Sequence, residues 1–231
     1  MRRTKEELLE AMRQVDSMVH KLTAALATLR ARPDQTRCRA QITLARRRLE
    51  ALSVSRELIA RELASAPDWR FQPLKKAEIT DMQALIHQRI AWMDKVGLRQ
   101  WNVTDYGGVY PPEYYAACWQ RGELFALADA GTGQIICVGC LKKADDRWPD
   151  GHSVPALYLH HLAADLHCKG AGAAFLRAAE AHARKSGCRC FRLDSAADNP
   201  VLAAWYEKQG YEPAGTCVDG LYEGVLREKP L

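Results

Sequence analysis

The 231-residue sequence predicts an α+β protein, a mixed α/β sheet flanked by helices and preceded by an antiparallel helical hairpin. Three observations predict it. Apolar residues recur at steps of three and four from Leu8 to Leu63, broken once around Pro33. Strand-like and helix-like runs alternate from about residue 70 onward. Charge divides the chain in the same place: residues 1–64 carry 14 Lys/Arg against 8 Asp/Glu and the rest 19 against 20, so the net charge of +5 belongs to the first segment. The predicted units are residues 1–66, a basic, coiled-coil-like hairpin, and residues 67–231.

In the first helix the seam runs Leu8, Met12, Val15, Val19, Leu22, Leu26, Leu29, a heptad spacing that Pro33 ends. The second seam runs Cys38, Ile42, Ala45, Leu49, Leu52, Arg56, Ile59, Leu63, with Arg56 its one intruder. "ASAPDWRFQP" closes the pattern near residue 66. Phe71 to Leu74 reads as a first strand, and "TDMQALIHQRIAWMDKVG" as an amphipathic helix capped by Thr80 or Asp81 and stopped at Gly97. An aromatic loop, "WNVTDYGGVYPP", leads to the short helix "PEYYAACWQRG". "LFALADAGTGQIICVGCL" is a β-hairpin, "ADDRWPDGHSVP" a polar loop and "ALYLHHLAA" a strand. A glycine turn, a helix from about Gly170 to Ser186, the strand "CRCFRLDS", the helix "NPVLAAWYEKQ" and a last β-pair complete the chain.

No apolar run reaches the roughly 18 residues of a membrane span, and the start lacks a secretory h-region, which predicts a cytoplasmic protein without a membrane partner. The eight cysteines then read as reduced core thiols. Cys137 and Cys140 form a C-x-x-C, but inside a strand that spacing turns the two side chains to opposite faces, which argues against a metal.

The turn "HCKGAGAAFL" opens a helix just after a strand. Such a turn aims backbone N–H groups and the positive helix end at one spot, where an anion fits. It is not a P-loop, since no G-x-x-x-x-G-K-[ST] exists, and it fails the dinucleotide fingerprint at Phe175. Plain helix packing is the bland alternative, although glycine inside a helix costs about 1 kcal/mol and calls for a reason.

The stretch from Tyr158 to Gly215 closely resembles the core of the GNAT superfamily of N-acetyltransferases in three strings: the turn His167-Cys168-Lys169-Gly170-Ala171-Gly172, "RLD" followed by "NP", and "WYEKQGY". The resemblance covers residues 70–229 in element order. It departs from the family at His167, where Arg or Gln is usual, and has no counterpart for the hairpin. It implies a mostly antiparallel acyltransferase fold using acetyl-CoA as cosubstrate without a metal. It further implies that the backbone of residues 167–173, from His167 through Gly172 to Ala173, grips the pyrophosphate. Asn199 would lie by the pantetheine arm, and His160 and Leu162 would pair with its amides like an added strand. Tyr206 matches the residue that hands a proton to the departing thiolate. A phenol titrating near 10 keeps that proton at neutral pH, whereas a thiol near 8.5 can receive it.

The amine acceptor must lose a proton, and the candidate bases are His160, His161 and Glu123. Adjacent strand residues face opposite ways, so at most one of the two histidines is expected to face the acceptor. Trp101, Tyr106, Tyr110 and Trp148 are expected to line the acceptor cleft, and Asp145, Asp146 and Asp150 to favour a cationic acceptor, a small-molecule amine or a peptide. The predicted function is acetyl transfer from acetyl-CoA to such an amine, with the hairpin as a homodimer or docking element. The alternative is a non-catalytic acyl-CoA sensor whose basic hairpin binds nucleic acid or a protein. "ARRR" supports it, but nucleic acid is disfavoured because interleaved aromatics are lacking.

Overall fold

The computed structural model describes residues 5–33, 36–148 and 153–231, which divide into two units, Met1–Asp68 and Trp69–Leu231. Asp150 lies outside the described residues.

The first unit is a pair of helices, α1 (Lys5–Arg30) and α2 (Arg39–Ser65). Leu8, Val15, Leu26, Cys38 and Ala45 are buried between them, as their spacing requires. Arg56 does not enter the seam. Ser55 is the half-buried residue there, while Arg56 turns outward to pair with Asp16 at 2.9 Å, a solvated contact that contributes little to stability.

The second unit is built on a seven-stranded sheet in the order β1-β2-β3-β4-β5-β7-β6. The strands are β1 (Trp69–Pro73), β2 (Leu124–Asp129), β3 (Ile135–Lys142), β4 (Ala156–Ala164), β5 (Cys190–Ala196), β6 (Glu212–Asp219) and β7 (Tyr222–Pro230). Only β4 and β5 run parallel; every other pairing is antiparallel. The parallel pair needs a crossover, which the glycine turn and the helix α6 (Ala171–Lys185) supply. The other helices are α3 (Ile79–Val96), α4 (Tyr106–Val109), α5 (Pro112–Gln120) and α7 (Pro200–Lys208).

Both faces of the sheet are covered, so β2 reads as an unbroken apolar run. Its alternate residues serve different cores. Phe125 and Leu127 join Phe175, Leu176 and Ala179 of α6, while Leu124, Ala126 and Ala128 join Met82 and Ile86 of α3. The same alternation places Cys137 in the first core and Cys140 in the second, which separates the C-x-x-C thiols. Gly139, between them on β3, lies against Phe175 of α6. An added Cβ would stand 2.7 Å from the Phe175 ring and 2.9 Å from Leu159. Gly139→Ala is therefore expected to destabilise the domain by about 1–3 kcal/mol through overpacking, read as a lowered melting temperature. An unchanged melting temperature would mean that Phe175 repacks freely.

Two local expectations are corrected. α3 starts two or three residues earlier than a Thr80 or Asp81 cap implies, because the Glu78 carboxylate reaches back to the Lys75 N–H at 2.8 Å and organises a 3-10 turn over Lys76–Glu78. Thr80 instead donates its hydroxyl to the Ala77 carbonyl. The aromatic loop is not irregular throughout, since Asp105 accepts a hydrogen bond from the Gly108 N–H and starts the single turn of α4. Among the described residues no helix is long and apolar enough to cross a membrane.

Candidate active site

The sheet opens where β4 and β5 diverge. Their pairing runs from Ala156↔Cys190 to Leu159↔Leu193 and then stops, although both strands continue. Along residues 160–164 the backbone on the β5 side is therefore released from the sheet, while its other side still pairs with β3. A β-bulge lies at this point. The β3–β4 register shifts between Val138 and Cys140, and His161 adopts φ +56°, a left-handed conformation uncommon for a side chain of its size.

Tyrosines hold that conformation. The Tyr114 hydroxyl lies 2.9 Å from His161 Nε2, and the Tyr106 hydroxyl contacts Nδ1. A neutral imidazole has one donor and one acceptor, so the two hydroxyls take complementary roles. Burial first of all, and then its neighbours His160, Lys142 and Arg147, push the His161 pKa well below its usual value and keep the ring neutral. The bulge also alters where the histidines point. Both His160 and His161 line one cavity, which overturns the expectation that strand alternation admits only one.

That cavity has a volume of about 830 Å³. The glycine turn forms part of its wall. Gly170 sits at φ +92°, a conformation that glycine adopts without strain, and its Cβ position is open. In the first turn of α6 the N–H groups of Gly172 and Ala173 have no carbonyl partner within the helix. Elsewhere in the turn the amides are partly spent. The His167 N–H donates to the Asp165 carboxylate at 2.7 Å, Cys168 to the Asp165 carbonyl at 3.3 Å, Lys169 to the His167 carbonyl at 3.2 Å, and Ala171 to the Cys168 carbonyl at 3.2 Å. The free donors are thus concentrated later in the turn than an even share over residues 167–173 implies. Cys168, Lys169, Gly170 and Gly172 line the cavity; His167, Ala171 and Ala173 are not among its lining residues. The Gly172 Cβ position meets nothing closer than Trp205 at 3.8 Å, so internal packing does not require a glycine there. A pyrophosphate approaching the backbone would.

Leu162, Asn199 and Tyr206 line the same space. Asn199 also caps α7, accepting a hydrogen bond from the Leu202 N–H at 3.0 Å. Tyr206 is buried, and desolvation followed by the nearby charge of Asp194 raises its pKa well above 10. It keeps its proton throughout the neutral range.

Charged groups and aromatic rings belong to the same wall or stand directly behind it. His160 Nε2 stands 3.3 Å from Asp145 Oδ2, within ion-pair distance but misaligned for a hydrogen bond. Burial would raise the Asp145 pKa, but the His160 ring and the Arg147 N–H outweigh it and leave it lowered. Arg147 reaches Asp194 at 2.8 Å and Asp219 at 3.3 Å, and the Tyr222 hydroxyl donates to Asp194 at 2.6 Å. Trp101, Tyr106 and Tyr110 also line the cavity.

Two expected residues lie elsewhere. Trp148 is 6% exposed and packs in a separate core, under the Arg192 guanidinium at 4.3 Å and edge-on to Tyr158. Burying its indole against an internal cation stabilises the loop rather than a ligand. Glu123 is not a cavity residue, and both its carboxylate oxygens accept hydrogen bonds from Arg121 at 2.9 Å. Arg147, Asp194, Asp219 and Tyr222 were not read as site residues from the sequence, since their partners stand 28 to 72 positions away in the chain.

Comparison with known proteins agrees with this architecture. The profile of the acetyltransferase (GNAT) family matches residues 95–211. A GNAT-family acetyltransferase structure from Listeria monocytogenes is 18% identical, with a TM-score of 0.59 over 71% of this chain and 95% of its own. One from Streptococcus agalactiae is 21% identical, with a TM-score of 0.57 over the same shares. The PaiA N-acetyltransferase of Thermoplasma acidophilum, solved in complex with coenzyme A, is 19% identical, with a TM-score of 0.52 over 71% of this chain and 99% of its own. No curated protein sequence matches. With the family profile spanning half of its length and the sheet, splayed strands and glycine turn in place, the chain belongs to the GNAT acetyltransferase family.

Proposed function

We propose that the protein transfers an acetyl group from acetyl-CoA directly to a primary amine. The observation that carries this reading is one cavity lined by the glycine turn, the released edge of β4, the protonated Tyr206 and His160, which Asp145 backs at 3.3 Å. The free N–H groups of Gly172 and Ala173 suit a diphosphate, and the unpaired backbone of residues 160–164 suits the amides of a pantetheine arm. Acetyl-CoA supplies the activated acyl carbon. The amine lone pair forms the C–N bond, the C–S bond breaks, Tyr206 gives its hydroxyl proton to the sulfur, and the surplus proton of the nitrogen leaves through the base.

We assign the base to His160. His161 has both ring nitrogens committed to tyrosines, and Glu123 is tied to Arg121 outside the cavity. His160 lines the cavity, with Asp145 beside its Nε2 to stabilise the imidazolium as it forms. The test is thiol release from acetyl-CoA on addition of primary amines, with binding followed by calorimetry. His160→Gln is expected to lower kcat by about tenfold to a hundredfold near pH 7 and to lose less at high pH, where the amine deprotonates in solvent, with coenzyme A affinity retained. An equal loss at every pH would remove His160 from the base role. Failure of the wild-type protein to bind coenzyme A would overturn the whole reading.

A further inference from the structure

The C-x-x-C spacing of β3 names the wrong pair of thiols. Cys137 and Cys140 lie in different cores, and the sulfur that meets Cys140 belongs to Cys118 of α5. The Sγ atoms of Cys118 and Cys140 and one Glu123 carboxylate oxygen all lie within 4.8 Å of one another, with both cysteines buried. Such a trio could hold a metal ion, but a cation is already there. Arg121 donates to both Glu123 oxygens at 2.9 Å and to the Cys118 sulfur at 3.2 Å, so a guanidinium stands where the metal would sit. What it favours instead is negative charge on sulfur.

The two thiols are not alike. The Cys140 thiol, hydrogen-bonded to Cys118, lowers the Cys118 pKa against the opposing effects of burial and Glu123, and Lys142 and the Tyr114 hydroxyl add to it. The same contact pushes Cys140 up. The proton of the pair therefore stays on Cys140, and thiolate character falls to Cys118. Burial pushes the Cys137, Cys168, Cys188 and Cys217 thiols the other way. Arg121, whose side chain is 52% exposed, leads from solvent to the Cys118 sulfur, and an ion pair that exposed holds it in place only weakly.

We propose that Cys118 and Cys140 are an oxidisable pair, which hydrogen peroxide converts to a disulfide joining α5 to β3. The Cys118 thiolate attacks the O–O bond and takes one oxygen as a sulfenic acid, while the departing hydroxide is protonated to water. The Cys140 sulfur then displaces the hydroxyl, which leaves as a second water. Two thiols lose two electrons and two hydrogens, and one peroxide becomes two waters. The pair reaches the cavity through Tyr114, whose hydroxyl contacts Cys118 and lies 2.9 Å from His161 Nε2, and Cys140 is the register partner of His160. Closing an S–S bond of about 2 Å draws the sulfurs together and takes from Tyr114 its sulfur partner, which shifts the support of His161. The sulfur chemistry stands without the acetyltransferase reading; its effect on turnover rests on that reading.

The experiment treats the full-length protein with a small excess of hydrogen peroxide, blocks the remaining thiols with N-ethylmaleimide and sequences the peptides by mass spectrometry. The expected product is a Cys118–Cys140 cross-link, lighter by two hydrogens and split by dithiothreitol, formed before the less buried Cys168 and Cys188 are oxidised. Cys140→Ala is expected to halt the reaction at a Cys118 sulfenic acid that dimedone traps, and Cys118→Ala to leave Cys140 a thiol. Oxidation is expected to lower the rate of amine acetylation about tenfold, and dithiothreitol to restore it. Wild-type protein in which Cys168 or Cys188 is oxidised while Cys118 and Cys140 remain thiols would overturn the proposal, whether or not either variant folds. So would one equivalent of bound zinc that shields both thiols from peroxide, which would make the trio a metal site. Turnover unaffected by the cross-link would overturn its coupling to the cavity. A cross-link formed by a protein that neither binds coenzyme A nor acetylates amines would overturn the acetyltransferase reading and leave the pair standing.

Discussion

Gly172→Ala is expected to make the protein more stable and less able to bind coenzyme A. Gly172 lies in the first turn of α6 with ordinary helical backbone, and its Cβ position touches only Trp205, at 3.8 Å and beyond. A methyl group there costs the folded chain nothing. It relieves the helix of a glycine and should raise stability by up to about 1 kcal/mol. The same methyl group would occupy the space through which a diphosphate reaches the N–H groups of Gly172 and Ala173, and affinity measured by calorimetry should fall about tenfold. Gly172→Glu adds a carboxylate to that position. Like charge against a diphosphate costs several kcal/mol, so binding should drop by more than about a hundredfold, below detection at ordinary concentrations. The opposite signs for folding and binding separate a glycine kept for a ligand from one kept for packing. Gly172→Glu that binds coenzyme A normally would show that the diphosphate lies elsewhere.

How much of this was legible in the sequence depends on the range of each interaction. The hairpin, the strands and α6 follow from periodicities of 3.5, 2 and 3.6, which are local. The glycine turn was legible for the same reason, since a left-handed residue and an open helix start lie within three positions of each other. The bulge was not. Nothing in "LHHLAA" marks His161 for φ +56°, and the cause lies in Tyr106 and Tyr114, 55 and 47 residues away. That single backbone angle decides whether one histidine or two face the cavity. Trp148 and Glu123 were misplaced in the same manner. Each was read from its neighbours in sequence, and each is claimed by an arginine that the spacing rules do not capture, Arg192 across the sheet in one case and Arg121 across a turn in the other. Arg147 belongs to a polar loop without periodicity, and only the folded chain brings it to Asp194 and Asp219.

Tyr206→Phe is expected to lower kcat by about 10²–10⁴-fold, the usual contribution of a positioned proton donor, while coenzyme A affinity changes little. The hydroxyl is a small part of a ring already packed among Leu202, Trp205 and Tyr211, so phenylalanine keeps the shape. A pH profile tests the role more sharply. Burial and Asp194 both raise the Tyr206 pKa above its ordinary 10.0, so the donor form is present at every pH below that value. The acceptor amine gains competence as it loses its proton with rising pH. Wild-type kcat/KM should therefore climb through the neutral range and level off, with no alkaline decline below about pH 10. The phenylalanine variant should trace a curve of the same shape at a lower level, because the groups that titrate are untouched. A wild-type profile that falls between pH 8 and 9 would require a donor that deprotonates there. A tyrosine enclosed in apolar surroundings beside a carboxylate cannot be that group, and the proton delivered to sulfur would have to come from elsewhere in the cavity.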